Sequence, residues 1–365
     1  MHQRTRRAAF AAGLLAAACL TAAPAATAAP GTPAATATAA APAAGHACSP
    51  SVSLDRFSDA LDKTAYDGTY VGNLSALAVD LPRSRPHASG GAPTGSIAAL
   101  SDRSFLFDLD ARTLRPTGVV RLADENGAPL DAEGLVVDRD GTRLVTSETE
   151  PSIRRYSRDG RILDRLPVPD ALRVAPAGRA QSNGTFEGLT LLPGGRTLLA
   201  SMEYALSGDT AGIVRLQTWR RAADGRFRPA AQYAYRADAG LGVPEVRATP
   251  DGRLLVLERG FTSGVGNTVR LYLADLRHAT DTSGIEHLTG QDGVRLVKKT
   301  LLADLASCPT LGATARQPQP NPLLDNIEGM TVTGRAGDSL KVLLVSDDNQ
   351  NATQTTRFSY LRVRT

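Results

Sequence analysis

A short pattern returns along this chain and constrains its fold more than any other feature. Glu-Gly-Leu opens an apolar strand, a glycine-containing turn follows, and a second apolar strand ends in an acid. One copy runs Ala132-Glu133-Gly134-Leu135-Val136-Val137, Asp140-Gly141, then Leu144-Val145-Thr146-Ser147-Glu148. The next runs Phe186-Glu187-Gly188-Leu189-Thr190-Leu191, Gly194-Gly195, then Leu198-Leu199-Ala200-Ser201-Met202-Glu203. A third keeps the acid but not the glycine: Pro244-Glu245-Val246-Arg247-Ala248, Asp251-Gly252, then Leu254-Leu255-Val256-Leu257-Glu258-Arg259. The last is Ile327-Glu328-Gly329-Met330-Thr331-Val332, then Leu343-Leu344-Val345-Ser346-Asp347-Asp348. A fainter copy precedes them all, residues 73–79 and 97–103, with Asn73 near the Glu position and Asp102-Arg103 at the end.

The turn chemistry and β-rich flanks make each copy a hairpin. Two further strand candidates follow most hairpins, at 104–110 and 118–122, 153–157 and 162–166, 213–219 and 231–235, and 269–273 and 294–301. One more lies at 356–363. The repeated Glu positions lie 54, 58 and 83 residues apart. Four short strands per repeat at this spacing predict an all-β chain, a β-propeller of five four-stranded antiparallel blades. The stretch 261–325 is long enough to hide a sixth. Residues 51–59 are expected to supply the final blade's last strand, closing the ring and removing open sheet edges. The proline-rich stretch 308–325 reads as a loop inside one domain spanning 48–365.

A propeller hairpin leaves and returns at the same face. That topology brings Glu133 near Glu148, Glu187 near Glu203, Glu245 near Glu258, and Glu328 near Asp347 and Asp348, all around one channel mouth. So many carboxylates cannot remain ionised together without compensation. A divalent cation held by oxygen ligands would supply it. So would Arg103 and Arg259, or protonation of some acids. Alternatively, each Glu caps its own blade by accepting backbone N–H bonds from the next.

Residues 1–29 read as a secretory signal: Arg4, Arg6 and Arg7, an apolar run, then Ala26-Thr27-Ala28. The Sec route is expected over the twin-arginine route, because no Phe follows Arg6-Arg7 at the required spacing. Residues 30–47 form an Ala/Pro/Thr-rich flexible segment. The whole chain carries 41 basic and 37 acidic residues; removing the three leader arginines leaves 38 against 37. This balance argues against nucleic acid as a partner, and no further stretch is long and apolar enough to span a membrane. After cleavage only Cys48 and Cys308 remain, and in an exported protein such a pair reads as a disulfide, with two buried thiols as the alternative. The Lys-poor, Ala- and Arg-rich composition looks bacterial, so the sequons at Asn73, Asn183 and Asn351 are expected to stay bare. A monomer is expected.

The motifs Glu133-Gly134-Leu135, Phe186-Glu187-Gly188-Leu189, Asn326-Ile327-Glu328-Gly329-Met330, Leu100-Ser101-Asp102-Arg103 and Ser346-Asp347-Asp348-Asn349 resemble the family called esterase-like activity of phytase, over roughly residues 70–363. The resemblance implies a secreted phosphoesterase-type or esterase-type hydrolase acting on a small phosphate ester or related ester. Glu-Gly strand starts are also similar to calcium-dependent lactonase and gluconolactonase-like propellers, which hold a divalent metal at the channel mouth. Carried onto this chain, Glu133, Glu187, Glu245, Glu328, Asp347 and Asp348 are metal-ligand candidates, for Ca²⁺ or else Mg²⁺. Glu148 and Glu203 are candidate general bases, and Arg103 and Arg259 candidate holders of the substrate's anionic group. An exported propeller that binds a partner around a structural metal is the non-enzymatic alternative. No Gly-x-Ser-x-Gly elbow or P-loop is present, His87, His278 and His287 sit in polar loops, and Trp219 reads as packing.

Overall fold

Each inner strand breaks its ladder once near its start, in three blades at the repeated Glu, and that shared irregularity organises the molecule. The computed structural model describes residues 45–80, 95–290 and 293–365. Its strands pair with their sequence neighbours into five antiparallel four-stranded sheets. Blade 1 comprises Leu74–Asp80, Ser96–Ser101, Phe105–Asp110 and Pro116–Arg121. Blade 2 comprises Ala132–Val137, Arg143–Ser147, Ser152–Tyr156 and Ile162–Leu166. Blade 3 comprises Phe186–Leu191, Thr197–Met202, Ile213–Arg221 and Phe227–Arg236. Blade 4 comprises Gly242–Ala248, Leu254–Thr262, Gly266–Asp275 and Lys298–Asp304. Blade 5 takes Asn326–Ala336, Ser339–Asp347 and Phe358–Arg364 from the end of the chain and Val52–Ser58 from its start.

The inner strands touch in ring order, and that of blade 5 meets that of blade 1. The closing strand pairs from Val52 against Val363 to Ser58 against Phe358, as expected from sequence. Cys48 and Cys308 are disulfide-bonded, joining the entry to the closing strand with the exit from blade 4. The stretch 261–325 supplies outer parts of blade 4 and a loop, so among the described residues there is no sixth blade. The expected leader, 1–29, and the part of the expected flexible segment up to residue 44 lie outside the described residues. The fold begins slightly before residue 48, since Leu54 N donates to His46 O at 2.9 Å. No helix among the described residues is long and apolar enough to cross a membrane.

The ladder slips at Leu74/Ala76, Ala132/Leu135, Phe186/Leu189, Gly242/Glu245 and Ile327/Gly329. A bulge re-aims the side chain it contains. Glu133, Glu187 and Glu328 sit inside these slips, and Ser75 occupies the matching place in blade 1, two residues after Asn73. The following glycine answers to packing between blades. A Cβ on Gly134 would press on Glu187 O of the next inner strand, and one on Gly188 would lie 2.5 Å from Val246 N. Apolar side chains fill the spaces between sheets; Trp219 is fully buried among them, edge-on to Phe186 with its Nε1 donating to Pro167 O.

Candidate functional site

The inner-strand acids of blades 2 and 3 and the acids ending their second strands meet at one mouth. Asp131, Glu133 and Glu148 offer carboxylate oxygens all within 4.8 Å of one another. Glu148, Glu187 and Glu203 do the same, so Glu148 is shared by both groups. The four glutamates are all buried. Thr185 N donates to Glu148 Oε1 at 3.2 Å, fixing the shared carboxylate to the start of blade 3. Burial first, and the neighbouring carboxylates second, push Glu133 and Glu187 well above the usual carboxylate range. Burial also raises Glu148, Glu203 and Asp131.

Blade 5 faces this cluster through a cation. The partly buried Arg259 guanidinium lies 3.3 Å from Glu203 Oε1 and 3.2 Å from Glu328 Oε1. Asn326 Nδ2 donates to the same Glu328 oxygen at 2.8 Å. Burial pushes Glu328 up to about 7 despite the pull of Arg259. Asp347 is raised by burial and by Glu328, and Asp102 of blade 1 reaches about 7 by burial and the nearness of Asp347. Two polar atoms at this mouth, Arg259 Nε and Asp102 Oδ1, are buried without a hydrogen-bond partner.

The remaining sequence candidates lie elsewhere. Glu245 accepts from Val246 N at 2.9 Å and pairs with Arg247 at 2.8 Å. Asp348 binds Lys63, Tyr70 and, at 3.0 Å, Asn73 N. Against the upward push of burial, these donors hold it below the ordinary carboxylate range. Glu258 turns toward blade 3, accepting from Tyr235 at 2.6 Å, Asp238 N at 2.8 Å and Lys299 at 2.6 Å. Arg103 is mostly exposed at the rim, 3.4 Å from Asp102. His278 and His287 are exposed, and His87 lies outside the described residues.

The donor set fits a hard divalent ion. It consists of carboxylate oxygens from several strand ends, already crowded and short of counter-charge.

A family model, phytase-like, described as esterase-like activity of phytase, matches residues 69–350. The chain belongs to this family. The phytase-like match takes in every acid of the mouth; of the two outer strands of blade 5, Val52–Ser58 precedes it and Phe358–Arg364 follows it. An uncharacterized secreted protein of Arthroderma benhamiae is 30% identical over 105 residues, which is 22% of this chain and 20% of that protein. The match therefore spans about a fifth of that relative's length. A gluconolactonase structure from Xanthomonas campestris aligns at 16% identity and TM-score 0.36, over 73% of this chain and 68% of that one. A Bacteroides caccae protein of unknown function aligns at 10% identity and TM-score 0.31, over 70% and 68%.

Sequence reasoning missed two residues of this phytase-like chain that matter. Asp131 joins the first carboxylate group; its signal was a polar residue two places before the Glu in blades 2, 3 and 5, namely Asp131, Thr185 and Asn326. Arg247 is a charge in an inner strand where the matched positions are Leu77, Leu135, Leu189 and Met330.

Proposed function

We propose that this phytase-like protein is an exported, divalent-metal-dependent hydrolase that cleaves a phosphate ester or a related ester at the acidic mouth. The observation that carries this reading is Glu148, shared between two groups of three converging carboxylates. Ca²⁺ is favoured over Mg²⁺, because several carboxylates from flexible side chains suit its larger, more tolerant coordination. Export is supported by the leader-like residues 1–29 and by a relative described as secreted.

Asp131, Glu133, Glu148, Glu187 and Glu203 would hold the ion. When bound, it would supply Lewis-acid polarisation of the ester and ready ionisation of water. Glu148 and Glu203 both belong to the converging groups, so cation holding suits them better than proton transfer. Glu328, pushed to about 7, can take and return a proton near neutral pH. Arg259 keeps an unpartnered Nε–H beside it, which we assign to an anionic oxygen of the substrate.

The test is turnover of a panel of phosphate mono- and diesters, carboxyl esters and lactones, with Ca²⁺ and with chelator. Chelator-sensitive hydrolysis of at least one class, lost in Glu328→Gln, is expected. Ca²⁺-dependent stability with no turnover of any class would contradict hydrolysis and leave a binding propeller.

A further inference from the structure

Arg247 is buried on the inner strand of blade 4, two residues beyond Glu245, and all of its guanidinium hydrogens are engaged. Nε donates to Met330 O at 2.6 Å. One terminal nitrogen donates to Leu135 O and to Leu189 O, each at 2.9 Å. The other donates to Leu77 O at 2.6 Å and to Glu245 Oε2 at 2.8 Å. A guanidinium has five N–H groups. Here each meets an acceptor from a different blade. The inner strands are the terminal strands of their sheets, so their channel-side carbonyls lack a strand partner. Arg247 provides the missing donors at one level of the ring.

We propose that Arg247 is a positioning residue, a five-way tie that sets the spacing of the inner strands and hence of the acids at the mouth. Its effect on cation binding rests on the function proposed above. Leu135, Leu189 and Met330 each lie two residues beyond Glu133, Glu187 and Glu328. Two residues of strand span roughly 7 Å. The blades therefore cannot separate at the level of the acids without straining the tie just beneath them. Contact with all five inner strands also places the guanidinium on the ring axis, so ligands reach the acids from the mouth and not through the ring. Glu245, whose neighbour Val246 departs from Glu-Gly, serves here as the counter-charge of the tie. Lysine cannot substitute: its three N–H groups radiate from one point, whereas the guanidinium spreads five in a planar fork.

The test compares wild type, Arg247→Lys and Glu245→Gln in the full chain, measuring Ca²⁺ affinity by calorimetry, melting temperature and crystal structures. Arg247→Lys is expected to fold and to bind Ca²⁺ at least tenfold more weakly, with the Leu77, Leu135, Leu189 and Met330 carbonyls further apart. Glu245→Gln is expected to weaken binding several-fold. A merely structural role would lower the melting temperature and leave the affinity of the folded protein unchanged, which would overturn the proposal. If Arg247→Lys fails to fold, Glu245→Gln decides by the same affinity criterion. If wild type binds no Ca²⁺, the function proposed above falls. The tie is then judged by carbonyl spacing in the crystals, of Glu245→Gln where Arg247→Lys does not fold, and unchanged spacing overturns it.

Discussion

Glu148 follows the end of its blade's second strand, whereas Glu258 lies within its own, next to the Arg259 that pairs with Gly242, and their surroundings send them to different tasks. Glu148 meets four other carboxylates; Glu258 meets a tyrosine, a lysine and a backbone N–H. Glu148→Gln should therefore weaken Ca²⁺ binding by a factor on the order of ten to a hundred, measured by calorimetry, with little loss of stability in metal-free protein. Glu258→Gln should bind Ca²⁺ as wild type does but lose about 1–3 kcal/mol of stability in urea titration, because a buried, charge-assisted network is broken. The raised acids also carry a pH signature. Glu328 and Asp102 stand near 7 in the folded, metal-free protein, against usual values near 4.5 and 3.8. The folded state thus holds protons that the unfolded chain has released. That contribution is complete below about pH 4 and is lost as pH rises through about 7. Metal-free melting temperature should fall from pH 5 to pH 8, and Ca²⁺ should reverse the trend. A chelator-treated protein that grows more stable across that window would contradict it.

At the scale of the element, the Glu-Gly pair divides its labour. The bulge aims the Glu at the mouth, and the glycine lets the next inner strand approach. Gly134→Ala or Gly188→Ala should cost about 1–3 kcal/mol in urea titration through overpacking between blades, with the mouth's chemistry retained. Hairpins, blade strands and the closing role of Val52–Ser58 were legible because apolar alternation and turn residues are local signals. The convergence of Glu133, Glu148, Glu187 and Glu203 was legible from topology alone. The diversion of Asp348 was not, because its partners are far away in sequence: Lys63 stands just before, and Tyr70 within, a two-stranded ribbon of Thr64–Tyr66 and Thr69–Val71. Glu258 was misplaced for a like reason: Lys299 reaches it from the outer strand of its own blade and Tyr235 from the preceding blade, blade 3. Arg247 escaped because its partners are carbonyls, which every residue has and no motif displays.

At the scale of the molecule, one disulfide and one strand pairing hold the two chain ends to the ring. Cys48 and Cys308 are 260 residues apart, so the bond restricts a very long loop in the unfolded chain. Replacing both with serine should cost about 2–5 kcal/mol by chemical denaturation, with the five-bladed fold retained. The near balance of acidic and basic residues conceals a strongly acidic mouth whose counter-charge within the described residues comes mainly from Arg259. The most direct measurement is a crystal structure of the protein soaked in Ca²⁺. An ion bonded to Glu148 and to carboxylates of one or both converging groups, at about 2.3–2.6 Å, is expected. The same acids paired only with one another at saturating Ca²⁺, with no ion between them, would contradict the reading of this mouth as a metal centre.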